Sequence, residues 1–89
     1  MEKECKNQKI IKREISNSIL KICEEHDMKI PRFAYEIDQG WTEGYHYVNG
    51  DYCMKVYKVI MACLKFGMDP NTFLGWDKIK EECDINDKF

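Results

Sequence analysis

The side chains with most to offer a ligand or partner lie in one short segment. Between Phe33 and Met54 the chain carries Glu36, Asp38, Glu43 and Asp51 among Tyr35, Trp41, Tyr45, His46, Tyr47 and Tyr52, and no Lys or Arg. Trp and Tyr rimmed by carboxylates form the composition of a surface that grips a protein partner. Other chemistry is poorly provided for. His26 and His46 are the only histidines, and neither is spaced with a Cys, a second His or carboxylates so as to close a metal shell. No nucleophile, base and orienting group stand together, no glycine-rich loop offers to cradle phosphate, and the pairs Glu24-Glu25 and Glu81-Glu82 read as solvated faces. No enzyme, cofactor or metal is expected.

The five cysteines are an odd number without a C-x-x-C pair, which argues against a disulfide framework. Cys23 and Cys63 fall on apolar stripes and read as reduced thiols acting as small core residues, whereas Cys5, Cys53 and Cys83 are expected at the surface. The net charge of −2 is not that of most duplex-binding domains, which carry a basic excess. Its distribution says more: Lys3, Lys6, Lys9, Lys12, Arg13 and Lys21 crowd the first 21 residues, the centre is acidic, and the tail from Asp77 is mixed. Any phosphate-binding surface has to draw on that N-terminal arm, on Lys29 and Arg32, or on Lys55, Lys58 and Lys65.

These residues need helices to position them. Ile11, Ile15, Ile19 and Ile22, with Cys23 alongside, keep the three-and-four spacing of an amphipathic helix over about Ile11 to Glu25. Pro31 is tolerated in the first turn of a second helix, about Ile30 to Asp38, with Phe33, Ala34 and Ile37 inward. Gly40 marks a turn before a brief third helix, Trp41 to Val48, built from weak helix formers and dependent on packing. Asn49-Gly50-Asp51 reads as a loop, after which Val56, Val59, Ile60, Cys63 and Leu64 give the strongest helical stripe, ending at Gly67. Asp69-Pro70 reads as an N-cap and first position of a fifth helix through Phe73 and Leu74, with one or two more turns over Trp76 to Cys83.

At 89 residues and 44% apolar, the chain suits one domain, divided as a basic arm over 1–10, a helical domain over 11–80 and a tail over 81–89. No apolar run approaches a membrane span, and the charged N-terminus is unlike a signal peptide, so a soluble, cytoplasmic protein is expected.

Over Ile15 to Trp76 this pattern resembles the lambda-repressor-like, or XRE-type, helix-turn-helix family. The residues that carry the likeness are Ile15, Ile19, Ile22, Phe33, Ala34, Ile37, Gly50, Val56, Val59, Ile60, Cys63, Phe66 and Gly67, with the closing segment FGMDPNTFLGW. The resemblance implies an all-α, five-helix lambda-repressor-like helix-turn-helix domain with a basic N-terminal extension. It further implies a sequence-specific, DNA-binding transcription regulator of phage-repressor or Cro type. Its third helix would enter the major groove with Trp41, Thr42, Glu43, Tyr45 and His46, while Lys29, Arg32, Asn49 and Lys55 hold the DNA backbone. A homodimer would form through Phe73, Trp76, Ile79 and Phe89.

Several positions depart from the family pattern. Ile30 stands where a phosphate-touching glutamine is common, and Cys23 with Val48 replace a paired Arg and Glu, a joint change that strands no buried charge. Gly44 occupies a position usually held by a branched core residue, which leaves volume for Tyr47 or an inward-folded Trp41 to fill. The alternative the residues support is a helix-turn-helix module that has given up DNA and binds a protein through its acidic, aromatic third-helix face, as a nucleic-acid-mimicking inhibitor from a mobile element would.

Overall fold

The isoleucine spacing becomes a single long helix, α1 (Lys6–Glu25), in a computed structural model that describes residues 5–85. It starts earlier than the stripe implies. The backbone N–H of Cys5 donates to Gln8 Oε1 at 3.2 Å, and Asn7 and Ile10 are already buried, so the described part of the basic arm is the first turns of α1. One face of α1, with Ile15, Ile19, Ile22 and Cys23, is the spine on which α2, α3, α5 and α6 pack.

Five shorter helices follow: α2 (Ile30–Glu36), α3 (Glu43–Asn49), α4 (Val56–Phe66), α5 (Pro70–Leu74) and α6 (Trp76–Glu82). The described residues are all-helical with no strand. The count is six rather than five because Gly75, at φ +70, ends α5 and lets the chain re-enter a helix at Trp76. Asp69 caps α5 as its position implied, its carboxylate accepting from the Asn71 N–H at 3.0 Å, and Gly67 closes α4 at φ +67. No described helix is long and apolar enough to cross a membrane.

Phe33, Ala34, Ile37 and Phe73 have no exposed surface and lock α2 and α5 onto α1. Polar ties fix the rest. Ser16 Oγ donates to the Val48 carbonyl at 2.8 Å, joining α1 to α3, and Ser18 Oγ to the Phe73 carbonyl at 2.6 Å, joining α1 to α5. Asn7, fully buried, donates from Nδ2 to the Asp84 carbonyl at 2.7 Å and accepts at Oδ1 from the Asp84 N–H at 2.9 Å, clasping the chain after α6 to the start of α1.

Two expectations are corrected here. The glycine at 44 leaves no void to fill: α2 approaches so closely that a Cβ there would lie 2.7 Å from Ile30 Cγ2 and 2.9 Å from the Ile30 carbonyl oxygen. Trp41 accordingly stays outside, 67% exposed, while Tyr47 is buried for its own contacts. The α4 stripe is not one buried face either. Val59, Ala62 and Cys63 point inward, whereas Val56, Ile60 and Leu64 stand 75%, 48% and 80% exposed.

Candidate functional site

α2 and α3 pack together through the close approach at Gly44, and that contact leaves the opposite side of α3 open. Trp41 and Thr42 occupy the turn before α3, so this helix starts two residues later than the sequence pattern suggests. Tyr45, His46 and Asn49 follow one and two turns on, all exposed, with Glu43 half-buried between them. The structure therefore leaves Trp41, Thr42, Tyr45, His46 and Asn49 exposed along α3 and the turn before it, with Glu43 half-buried among them.

Two of those residues are not free to reach outward. The Tyr52 hydroxyl donates to Glu43 Oε2, and this bond holds the Tyr52 phenol up at about 12. His46 Nδ1 lies 2.8 Å from Asp51 Oδ2, and its ring stacks on Tyr52 at 5.3 Å, while Tyr52 meets Tyr47 edge-on at 5.4 Å. Tyr47 Oη accepts from Gln39 Nε2 at 2.6 Å; burial is the main cause that raises its phenol. Glu43, His46, Asp51 and Tyr52 thus form one acidic, aromatic knot at the α3–α4 corner. The sequence contained no spacing rule for it, because Tyr52 reaches back from a loop.

The cations around this face are largely committed elsewhere. Lys58, offered by its sequence as a phosphate ligand, is 6% exposed and donates from Nζ to the Ile37 carbonyl at 2.6 Å and the Asp38 carbonyl at 3.0 Å. It caps the C-terminal end of α2, where a positive charge complements the helix dipole and Asp38 sits at φ +59. Arg32 reaches Glu36 at 2.7 Å and lies 5.6 Å over the Tyr35 ring; Lys65 reaches the same carboxylate at 3.2 Å. Lys65 first, then Arg32, hold the Glu36 carboxyl below its ordinary range. Lys29 and Lys55 remain exposed, as the N-cap residues of α2 and α4, and neither makes a side-chain cap.

At the far end of α3, Lys9, Lys12 and Arg13 line a cleft of about 330 Å³ with Ser16, Asn49 and Gly50. Arg13 is held in a fork between Glu14 and Glu82, with closest contacts of 2.8 and 2.7 Å, and it pulls the Glu82 carboxyl down.

Of the residues assigned to a dimer contact, Phe73 has no exposed surface and belongs to the core, so it offers nothing to a second chain. Trp76 is 50% exposed, Ile79 half-buried, and Phe89 lies outside the described residues. Cys23 and Cys63 are buried, and burial raises both thiols. Cys53 is exposed, but Cys5 and Cys83 are half-buried rather than open. Among the described residues no group of three or more His, Cys, Asp or Glu side chains is placed to hold a metal ion. No family model, curated protein or solved structure matches the chain.

Proposed function

We propose that this chain is a helix-turn-helix regulator of phage-repressor or Cro type that reads duplex DNA with the open face of α3. The observation that supports it is the α2–α3 pair: packed backbone-close at Gly44, it leaves Trp41, Thr42, Tyr45, His46 and Asn49 exposed along α3 and the turn before it. Thr42, and His46 through the ring nitrogen that Asp51 leaves open, hydrogen-bond to base edges, Trp41 and Tyr45 cover thymine methyls, and Glu43 accepts from a cytosine amine once Tyr52 releases it. Lys55 sits beside the first N–H groups of α4, where a phosphate oxygen binds, whereas Lys29 offers its ammonium beside the Ile30 N–H alone, since Pro31 has no N–H and the Arg32 and Phe33 N–H groups donate to the Lys29 carbonyl. Asn49, next to Lys9 in the basic cleft, holds the backbone at the other end of α3. Arg32 contributes only by sharing itself between Glu36 and a phosphate.

With about three phosphates neutralised, the affinity should fall with a log–log salt slope of about −2.7, roughly forty-fold between 50 and 200 mM salt. Selection from random duplexes on the purified chain tests the reading. It requires an enriched motif whose preferences change on Thr42→Ala or His46→Ala, and the absence of any duplex retention at 50 mM salt refutes it.

A second reading has its own support: near the α3 face Lys58 is turned inward and Arg32 and Lys65 are paired with Glu36, while Tyr35, Trp41 and Tyr45 stand 68%, 67% and 45% exposed. A basic protein surface would then bury those rings against the Glu43 and Asp51 carboxylates. In that case duplexes are not retained, and Trp41→Ala or Tyr45→Ala abolishes capture of a basic protein partner.

A further inference from the structure

Helix α4 carries two apolar lines, and the fold covers one of them. Val56, Ile60 and Leu64, spaced at i, i+4 and i+8, form the outer line, more exposed than not at both ends. No free charge interrupts it, since Lys58 is turned into α2 and Lys65 is held by Glu36. Beside Ile60 the surface opens into an apolar cleft of about 320 Å³ walled by Ile11, Cys53, Val56, Pro70 and Leu74. A ridge of branched aliphatics beside an apolar cleft is the shape of a contact surface rather than of scattered surface hydrophobics.

We propose that this face binds a second copy of the chain, with the two α4 helices antiparallel about a two-fold axis and Ile60 of each packed on Leu64 of the other. Charge selects both the occupant and the direction. Lys55 is exposed at the start of α4 and Asp69 is exposed just past its end. With the axis midway between Ile60 and Leu64, the Lys55 end of each α4 lies against the other copy's chain just past α4, where Gly67 turns it at φ +67 and Asp69 begins α5. That brings one lysine to the negative end of the facing helix at both rims. A parallel pairing would set lysine against lysine and aspartate against aspartate. A two-fold contact is self-complementary by construction, which is what one helix with opposite charges at its two ends provides. The contact takes an 11-residue helix and its flanking cleft, placing it at or below ~1,200 Å² in total, so a reversible dimer with a dissociation constant on the order of 10 µM is expected. It covers none of the α3 side chains and shares only Lys55 with the proposed phosphate contacts, so the Leu64 variant, which leaves Lys55 in place, tests it apart from what the α3 face binds.

Sedimentation equilibrium of the full chain under reducing conditions, from ~1 to ~500 µM, tests the assignment. The mass should rise from 10.7 kDa to twice that value. Leu64→Lys should weaken association at least tenfold with an unchanged thermal midpoint, because Leu64 is 80% exposed. Lys55→Gln and Asp69→Asn, the latter keeping a capping oxygen for α5, should each weaken it two- to five-fold, and the double variant no further than either alone. A monomer at every concentration, an association that Leu64→Lys leaves intact, open-ended oligomers, or independent effects at Lys55 and Asp69 would overturn the proposal.

Discussion

A lysine inside a small helical domain needs its ammonium hydrogen-bonded, and Lys58 meets that need with two carbonyls at the end of α2. Replacing it with Met keeps the stem and removes the donor, leaving a buried carbonyl unpaired at Ile37. The expected loss is about 2 kcal/mol, read as a thermal midpoint lower by roughly 10 °C for a domain of this size. Surface substitutions such as Lys29→Met should not move the midpoint. Tyr52 makes a different kind of contact, at the surface and toward a carboxylate. Its phenol is raised to about 12 chiefly by donating to Glu43, so that bond contributes below the ordinary phenol value, near ~10, and is lost as the pH climbs through about 12. A 295 nm titration of the five tyrosines should therefore show late ionisation that Tyr52→Phe removes in part, the remainder belonging to the buried Tyr47. Loss of the whole late phase in Tyr52→Phe, or none of it, would contradict the assignment.

The elements are held to each other by features of unequal visibility in the sequence. Proline and glycine punctuation placed α2, α5 and the end of α4, and the isoleucine and phenylalanine periodicity placed their inner faces, because backbone restrictions and helical periodicity are local properties. The outer line of α4 was not separable from its inner line, since both are aliphatic and only the depth of Lys58 and Ala62 in the packed structure distinguishes them. Gly44 was legible as an anomaly but not as a crossing point: closeness to Ile30 depends on where α2 lies. Gly44→Ala should therefore destabilise despite the ~1 kcal/mol that Ala gains in helix propensity, because overpacking against the Ile30 carbonyl costs about 1–3 kcal/mol. Ile30→Ala in the same chain should recover only part of the loss, measured by chemical denaturation, as the carbonyl remains. Glu36 joins α2 to α4 through Lys65, with Arg32 of its own helix assisting. Its carboxyl is held below the ordinary value, so its contribution is complete above an unfolded value of ~4.3 and disappears as the pH falls through the lower folded value. Glu36→Gln should flatten the decline in stability on acidification below about pH 5; an unchanged slope would mean the pair contributes nothing.

Across the whole molecule, the first and last helical regions of the described residues meet at Asn7. Sequence composition assigned residue 7 to a basic arm, yet the side chain is fully buried and clasps both backbone groups of Asp84, 77 positions away. A contact of that separation leaves no periodic trace in the sequence, which is why the start of α1 was invisible there. The clasp is the described tie that fixes the chain beyond Cys83, so its removal should loosen α6 before the core. Asn7→Ala is expected to cost about 1–2 kcal/mol, and the chain's own thiols report where that loss falls. Cys83, half-buried at the end of α6, should react with a thiol reagent several-fold faster in the variant, while Cys23 and Cys63, buried in the α1–α4 core, should stay protected at the rate set by global unfolding. If all the slow thiols accelerate together, the ends and the core form a single cooperative unit, and the clasp stabilises the fold as a whole rather than its last helix.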